Sequence, residues 1–351
     1  MRILVVGAVL GGTVPIGGSI YRAFKEMGVE TDFLDFSTLQ QEFRELWAAQ
    51  DEERSCRFHI QKKIMLLDRI TDFRPDVIFG IAQSPLDDVA VLSELKKARI
   101  VLCYWFTEDY RIFEYWKTIA PWFDHFFTLQ REPFWQELER AGCRTYHYLP
   151  MAFDPRPGCS DETTEPEIPV SFVGAPYPNR IHFLSRFPGS GFQIYGEDWD
   201  RYPNPFVVIG DRRITEDEAR SIYRRSRINL NLHSSPFPGK LGEGDFVNPR
   251  TFELAGMGCF QLTDMRKLLT LHFDPAQEVI AVSGWKEMTK AAEYFLDHEE
   301  EREAVAKRAQ ARVLREHTYL HRAREIVGLL EEGRRDNPLK DQYTTGGPHV
   351  E

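Results

Sequence analysis

Residues 228–263, which read INLNLHSSPFPGKLGEGDFVNPRTFELAGMGCFQLT, decide the fold class. The alternating segment Ile228–Leu232 predicts a strand, and the apolar segment Phe260–Thr263 predicts another. Between them, Arg250–Met257 has the pattern of a short helix that follows a loop rich in glycine and proline. A strand, a helix and a second strand in this order are typical of the βα units that build a parallel sheet.

The start of that helix predicts a binding site for an anion. Asn248 suits the N-cap, Pro249 suits the first helical position and Gly258 suits the C-terminal stop. Free backbone N–H groups and a partial positive charge at such a start favour a pyrophosphate. Arg250 and Glu253 share one face of the helix, where the cation suits phosphate and the carboxylate suits ribose hydroxyls. A weak surface ion pair is the alternative interpretation of these two residues.

The same pattern extends over the chain of 351 residues, which is long enough for two domains of ~150 residues. Short apolar segments alternate with helical ones in 1–153 and again in 170–332, and each region predicts a Rossmann-like α/β domain. Residues 154–169, DPRPGCSDETTEPEIP, are rich in proline and acidic residues and predict a linker. The polar segment 333–351 predicts a flexible tail.

The predicted elements follow from periodicity and from capping residues. The predicted strands are Arg2–Val6, Thr31–Asp35, Val77–Ile81, Ile100–Trp105, Phe123–Leu129, Thr145–Leu149, Val170–Val173, Gln193–Tyr195, Val207–Ile209, Ile228–Leu232, Phe260–Thr263 and Val279–Val282. The predicted helices are Ser19–Met27, Gln41–Phe73, Ser84–Ala98, Thr215–Arg224, Arg250–Met257, Lys286–Arg315 and His321–Glu331. Thr215 and Glu218 have the spacing of a capping box.

Composition and charge exclude several classes of protein. The formal net charge of −10 argues against nucleic-acid binding through a basic surface. No apolar segment reaches the ~18 residues that a membrane-spanning helix needs, and the apolar N-terminus reads as a buried strand, so a cytoplasmic location is expected. The scattered cysteines and histidines predict no metal site, and no cofactor is expected. A metal role for the D-x-D pair Asp198 and Asp200 is the weaker interpretation of that motif.

Several motifs in the second region resemble GT-B glycosyltransferases. Asp245 and Glu253, which are separated by seven residues and followed by Gly258, resemble the E-x7-E segment of that fold. The phrase NPRTFELAGMG at 248–258 resembles CgeB-type spore maturation glycosyltransferases. Further similar segments are SFVGAPYPNR at 171–180, IYGEDW at 194–199 and HTYLHR at 317–322. The first region is similar only in its order of strands and helices.

The resemblance implies a GT-B fold with two domains that face a cleft and a donor site in the second domain. Glu253 corresponds to the ribose-binding glutamate. Asp245 occupies the position of the first acid, which contacts the donor sugar in retaining members, but it is shorter by one methylene. The predicted donor-binding residues are Glu253, Arg250, Arg180, Lys240, Gly174 and Asn248. A solvated loop position is the alternative for Arg180 and for Lys240.

The first region is predicted to supply the acceptor side of the cleft. Residues 7–19 link the first strand to the first helix, and their glycines Gly11, Gly12, Gly17 and Gly18 allow a ligand to approach the backbone. A tight strand–helix turn is the alternative. The segment nearly matches the phosphate loop of NTPases, but Gly18 stands where the essential lysine belongs, so ATP hydrolysis is not supported.

Four further residues are predicted to face the cleft. Trp105 follows a buried strand and is predicted to stack on a sugar. Glu108 and Asp109 are predicted to act as the base that deprotonates an acceptor hydroxyl, with helix capping as the alternative. His233 follows the strand Ile228–Leu232, and a hydrogen-bonded structural histidine is its alternative interpretation.

These features predict a metal-independent glycosyltransferase. Its donor is a UDP-, GDP- or dTDP-sugar, and its acceptor is a glycan, a protein or a small molecule. One alternative is a non-catalytic GT-B-like protein that binds a glycan or nucleotide in spore-coat or cell-surface assembly. Another is a nucleotide-sugar epimerase of the same fold. The sequence does not decide between retention and inversion.

Overall fold

The computed structural model describes residues 1–49, 51–155, 167–188, 191–239, 241 and 244–335. Within these ranges the strands form two six-stranded parallel sheets. Parallel neighbours need a crossover connection, and helices between successive strands provide it. The predicted α/β class with two Rossmann-like sheets is therefore confirmed.

The first sheet is built from the first half of the chain. Its strands are β1 (Arg2–Val6), β2 (Glu30–Leu34), β3 (Val77–Ile81), β4 (Val101–Phe106), β5 (His125–Thr128) and β6 (Tyr146–Tyr148). The helices between them are α1 (Val14–Glu26), α2 (Gln40–Ala49), α3 (Glu52–Phe73), α4 (Val89–Lys97), α5 (Trp116–Ile119) and α6 (Phe134–Arg140). The strand order is β2-β1-β3-β4-β5-β6.

The second sheet has the order β12-β11-β10-β7-β8-β9. Its strands are β7 (Ile168–Val173), β8 (Phe192–Tyr195), β9 (Val207–Ile209), β10 (Ser226–Asn231), β11 (Gln261–Asp264) and β12 (Ile280–Val282). Its helices are α7 (Pro178–Leu184), α8 (Glu216–Arg225), α9 (Pro249–Gly256), α10 (Trp285–Asp297) and α11 (Glu299–Glu316), and α12 (Tyr319–Arg335) follows them. In the centre, Ile228 pairs with Val170 and Leu230 pairs with Phe172.

The chain divides into two compact units. One unit contains Met1–Cys103 and the chain from Tyr319, and in it α12 packs against α1. The other unit is Tyr104–Thr318. The side chains that form the candidate site described below all belong to this second unit.

Buried amide side chains fix α9 to the second sheet. Asn231, which is fully buried, donates from Nδ2 to Oγ1 of Thr251 at 2.9 Å and to Oε1 of Gln261 at 3.0 Å. Gln261 in turn donates to the carbonyl oxygen of Thr251 at 2.9 Å. Because buried amides without partners are costly, these bonds select one position for the helix.

The described strands agree with the predicted ones to within about two residues at each end, but several helices differ, and α5, α6 and α7 were not predicted. The helix predicted from Ser84 begins at Val89, because the Asp88 side chain caps it there. The first helix begins at Val14, before its predicted start, because Pro15 occupies its first turn and favours a helix there. The region 41–73 contains two helices, and the second has Asp51 as its own N-cap, bonded to the N–H of Arg54 at 3.0 Å. The region 286–315 also contains two, since Arg302 bonds to the last carbonyl groups of α10.

The glycine-rich link after β1 is shorter than predicted. Because α1 begins at Val14, Gly17 and Gly18 lie inside this helix and not in the loop. A Cβ atom on Gly17 would lie 3.1 Å from the Phe33 ring, so this glycine lets α1 pack closely against β2. Gly11 has φ +99 and remains in the loop with Gly12. Only these two of the four predicted acceptor glycines therefore occupy a loop.

Candidate functional site

The carboxyl ends of β7 and β10 mark the point where the second sheet reverses its strand order. The chain continues from β7 to β8 and β9 on one side, and from β10 to β11 and β12 on the other. In open α/β sheets, ligands bind outside the carboxyl ends of the strands at such a point. Gly174 directly follows β7 and Leu232 directly follows β10, so they locate the candidate site.

The Arg180 side chain connects these two strand ends. Its Nε and Nη2 donate to the carbonyl oxygen of Leu232 at 3.1 and 2.7 Å, and its Nη1 donates to the carbonyl oxygen of Ala175 at 3.1 Å. Arg180 is only 7% exposed, so the alternative of a solvated loop arginine is wrong. Burial and the nearby cation of Arg250 lower the pKa of Arg180 to about 9, and the group therefore stays charged at neutral pH.

The guanidinium of Arg250, on α9, also lies next to Gly174. Its Nε donates to the hydroxyl of Tyr223 at 2.8 Å, which fixes the guanidinium. A Cβ atom on Gly174 would lie 3.3 Å from Nη1 of Arg180 and 3.3 Å from Nη1 of Arg250, so the two cations flank one point that a side chain would fill. Two guanidinium groups that share a half-buried position repel each other, and an anion between them removes that repulsion.

The backbone at the start of α9 contributes fewer free N–H groups to an anion site than its sequence predicts. Pro249 has no N–H group, and the N–H of Thr251 donates to Oδ1 of Asn248 at 3.0 Å. Asn248 also donates from Nδ2 to Oδ1 of Asn231 at 2.8 Å. The prediction that the Asn248 side chain contacts a ligand is therefore wrong, because this side chain caps the helix and holds the N–H of Thr251. Side-chain cations are left as the main source of positive charge.

Glu253 and Lys240 are the remaining predicted donor residues, and Gly258 is the predicted stop of α9. Glu253 is exposed on α9, one turn after Arg250. Gly258 has φ +68 just after the helix, as its predicted role as a stop requires. Lys240 lies outside the residues that the structure describes.

His233 belongs to a buried network and does not present its ring to a ligand. Its backbone N–H and its Nδ1 both lie 2.9 Å from Oδ1 of Asp264, and its Nε2 accepts from the N–H of Asn248 at 3.0 Å. Because Nε2 is an acceptor, the proton is on Nδ1 and the ring is neutral. The predicted acceptor role is therefore replaced by the alternative, a hydrogen-bonded structural histidine, since both ring nitrogens have partners and the side chain is fully buried.

Asp264 connects this histidine to a further cation. Its Oδ2 lies 2.6 Å from Nη2 of Arg266, and both side chains are almost completely buried. Burial alone raises the pKa of Asp264, but His233 and Arg266 outweigh it and hold the pKa well below its usual range. Neither Asp264 nor Arg266 was predicted as a site residue, although charged residues directly after a predicted apolar strand are the available signal.

The buried neutral state of His233 gives stability a defined pH dependence. Burial lowers the pKa of His233 to about 4, against the opposing effect of Asp264. The unfolded chain takes up this proton near pH 6.5, which the folded chain does not accept until about pH 4. The contribution of His233 to the free energy of unfolding is therefore complete above pH 6.5. It is lost as the pH falls towards 4, by up to ~3 kcal/mol.

We expect urea unfolding midpoints to fall over this pH range, and NMR to show that the His233 ring does not titrate between pH 5 and 8. The His147→Gln variant is the matched control, because burial also lowers the pKa of His147 to about 4. This variant should retain the part of the pH dependence that His233 causes. A His233 ring that titrates near pH 6.5 would contradict the assignment.

Asp245 is held by residues that follow β5. Its Oδ1 accepts from Nε2 of Gln130 at 2.9 Å, and its Oδ2 accepts from the backbone N–H of Arg131 at 3.1 Å. The side chain is 8% exposed. Both carboxylate oxygens thus have partners within the protein, so the structure gives Asp245 an anchoring role for the segment that leads to α9.

The predicted catalytic acids Glu108 and Asp109 are both buried after β4. Asp109 accepts from the backbone N–H, Nε and Nη2 of Arg111 at 3.0, 2.9 and 2.6 Å. Glu108 accepts from the hydroxyl of Tyr115 at 2.6 Å. Because Arg111 occupies both oxygens of Asp109, the geometry favours Glu108 over Asp109 for contact with an acceptor hydroxyl.

Trp105 lies inside β4 and not after it. Its side chain is fully buried, and its Nε1 donates to the carbonyl oxygen of Leu149 at 3.0 Å. The prediction that Trp105 stacks on a sugar is therefore wrong. The strand extends to Phe106, one residue further than predicted, which places the indole in the core.

The D-x-D residue Asp198, considered above for a metal role, has an arginine as its partner. Asp198 has φ +65 and forms an ion pair with Arg201 at 3.1 Å. In the described part of the chain, no group of three or more His, Cys, Asp or Glu side chains is arranged to hold a metal ion. Nor does any described helix combine the length and the apolar character needed to cross a bilayer.

Comparison with known proteins identifies the second half of the chain. Residues 178–328 match the family model described as "Glycosyl transferase-like", and this range contains Arg180, Arg250 and Glu253. This segment is similar to glycosyltransferases. The spore protein CgeB of Bacillus subtilis (strain 168) is 24% identical over 232 residues, which cover 61% of this chain and 70% of that protein. The predicted glycosyltransferase class and the CgeB resemblance are confirmed.

Solved structures confirm the GT-B fold of this chain. Sucrose-phosphate synthase from Thermosynechococcus elongatus superimposes with a TM-score of 0.63 at 11% identity, over 96% of this chain and 99% of that one. Anabaena HepE in complex with UDP-glucose superimposes with a TM-score of 0.60 at 12% identity, over 94% of this chain and 99% of that one. At these identities, the likeness concerns the fold.

Proposed function

We propose that this chain transfers a sugar from a nucleoside-diphosphate sugar to an acceptor hydroxyl without a metal ion or a cofactor. The observation that carries the proposal is the convergence of Arg180 and Arg250 on Gly174 at the strand-order reversal of the second sheet. The donor is a UDP-, GDP- or dTDP-sugar, and the acceptor is a glycan, a protein or a small molecule. The UDP-glucose bound to HepE supports a donor of this class.

The two arginines supply what the leaving diphosphate requires. Negative charge grows on the diphosphate as the sugar–phosphate bond breaks, and fixed cations in a site shielded from water stabilise that charge more than they stabilise the ground state. Carbonyl oxygens hold Arg180 and the Tyr223 hydroxyl holds Arg250, so neither side chain needs to reorganise. A pair of cations can therefore take the role that a divalent metal has in other transferases.

The remaining roles follow from the placement of the acids. Glu253 extends from the same helix as Arg250, one turn further on, and we assign it to the ribose next to a bound diphosphate. Glu108 is the proposed base for the acceptor hydroxyl, because Arg111 holds Asp109. Asp245 is proposed to support the donor segment from behind, and not to contact the sugar, because both of its oxygens are bonded.

We expect Glu253→Ala to weaken UDP binding by roughly tenfold, the effect of losing one hydrogen-bonded charged group. Calorimetry with UDP measures this effect, and thermal unfolding shows whether the variant is folded. Glu216→Ala is a matched control, because Glu216 pairs with Arg220 on the surface of α8. Equal UDP affinities of wild type and Glu253→Ala would contradict the ribose assignment.

One experiment tests the proposed function as a whole. Nucleoside diphosphates and their sugars are screened by thermal shift, since a ligand that binds only the folded form raises Tm. The donor that binds is then incubated with candidate acceptors in EDTA, and transfer and release of the nucleoside diphosphate are measured. Metal-reversible loss of transfer would overturn metal independence. Glycan binding without donor binding would support the non-catalytic alternative, and isomerised donor without acceptor would support an epimerase.

A further inference from the structure

A second pair of guanidinium groups lies next to Gly244, separate from the pair at Gly174. A Cβ atom on Gly244 would lie 2.8 Å from Nη2 of Arg111 and 3.0 Å from Nη1 of Arg266. Gly244 has φ +98, a conformation that favours glycine, so the backbone passes close to both cations without a side chain between them. We call these two residues, Arg111 and Arg266, the Gly244 arginine pair.

Arg266 is incompletely paired. The side chain is 1% exposed, and Nη2 contacts Asp264, but among the described residues neither Nε nor Nη1 has a hydrogen-bond partner. The ring of Phe246, 6.0 Å from the guanidinium carbon, compensates for only part of this loss. Buried N–H groups of a cation that lack acceptors are costly, and an anion that reaches them recovers that cost.

Asp264 cannot satisfy Arg266 alone because other groups share it. Oδ1 of this carboxylate already accepts from the backbone and the ring of His233. The charges of Arg180 and Arg266 both act on the same histidine. The interior around Asp264 therefore has an excess of positive charge.

Arg111 provides the accessible side of the pair. Its side chain is 36% exposed while its partner Asp109 is 3% exposed, so a ligand can reach the guanidinium from outside. The loop that carries Arg111 has a fixed position relative to Gly244. The N–H of Tyr110 donates to Oε1 of Gln130, and Nε2 of Gln130 donates to Asp245, the residue after Gly244. The distance between the two cations is thus set by hydrogen bonds.

We propose that the Gly244 arginine pair binds an acidic group, a carboxylate or a phosphate, carried by a sugar of the transfer reaction. Planar guanidinium groups match the geometry of both anions, and Nη2 of Arg111 and the unbonded Nη1 of Arg266, which both lie next to Gly244, offer one donor each to a two-oxygen ligand. The inference deepens the proposed function, because it assigns a charge class to one of the two sugars. That sugar is either the donor's or the acceptor's.

The test compares acidic ligands with their neutral counterparts, so that general effects on folding cancel. One arm measures UDP-glucuronate against UDP-glucose, and the other measures glucuronate and glucose 6-phosphate against glucose, with and without saturating UDP. We expect an acidic ligand to bind at least ~10-fold more tightly than its neutral counterpart in one arm, which identifies the sugar.

The Arg111→Gln variant should abolish this preference, and Arg111→Lys should restore part of it. Arg266→Lys is the second variant, since it keeps a cation beside Asp264 but removes the planar donors. Equal binding of acidic and neutral ligands in both arms would overturn the proposal, as would a preference unchanged in both Arg111→Gln and Arg266→Lys. The free-sugar arm without UDP needs no bound nucleotide, so failure of donor binding is distinguishable from failure of this inference.

Discussion

Replacing Arg250 by methionine is expected to weaken binding of UDP, or of whichever nucleoside diphosphate the chain prefers, by about 10- to 100-fold. A hydrogen bond to a charged group contributes about 1.5–3 kcal/mol, and each 1.4 kcal/mol corresponds to a factor of ten. Methionine keeps most of the apolar stem of arginine. The loss should therefore come from the guanidinium that faces Gly174, and calorimetric titration measures it.

Arg225→Met is the matched control for this variant. Arg225 ends α8, and its Nη2 lies 2.6 Å from Glu167, which directly precedes β7. This ion pair therefore lies at the amino ends of β7 and β10, opposite to the candidate site. We expect Arg225→Met to bind the nucleotide as wild type does. If both variants bind equally well, Arg250 does not contact the diphosphate.

The variant Tyr223→Phe separates positioning from contact. Tyr223 is buried and its hydroxyl accepts the Nε–H of Arg250, so we assign it the role of holding the guanidinium and not of contacting the ligand. Its removal should give a smaller loss of affinity than Arg250→Met. The double variant Tyr223→Phe with Arg250→Met should bind no more weakly than Arg250→Met alone, because a positioning residue has no effect once its partner is absent.

The fold could be predicted from the sequence because its signals are local. Alternating or continuous apolar segments locate the strands, and Asn248, Pro249 and Gly258 fix both ends of α9. The errors arise where a local stop lies inside a long helical pattern. Asp51 and Arg302 interrupt two such patterns by bonding to backbone groups. Each lies among other charged residues, so its sequence neighbourhood does not distinguish it from the rest of the helix.

The candidate site could be predicted only in part, because its geometry depends on contacts between distant residues. The motif around Arg250 and the strand-end position of Arg180 were visible, but their convergence on Gly174 joins segments 70 or more residues apart. Whether a polar residue after a strand faces a ligand or the core also depends on such contacts. Trp105 and His233 were expected at a cleft, and both are buried because distant partners bond to them.

The network of His233, Asp264 and Arg266 should dominate the stability of the second sheet. Asp264→Ala removes the acceptor of two His233 N–H groups and the counter-ion of a buried guanidinium. Breaking a buried ion pair by removing one partner costs about 3–5 kcal/mol, because the remaining charge is left without compensation. For a unit of about 200 residues, that lowers Tm on the order of 10 °C, which calorimetry measures.

The comparison variant is Glu167→Ala, which breaks the surface ion pair with Arg225. Glu167 is 63% exposed, and a pair of this kind contributes about 0–1 kcal/mol, so its Tm should change by no more than roughly 3 °C. Asp264→Asn keeps one carbonyl acceptor for His233 but loses the charge that Arg266 needs, and its Tm should lie between those of the wild type and Asp264→Ala. Because His233 adjoins Leu232, whose carbonyl oxygen holds Arg180, Asp264→Ala should also weaken nucleotide binding below its Tm. Equal Tm values for Asp264→Ala and Glu167→Ala would contradict a stabilising role for the network.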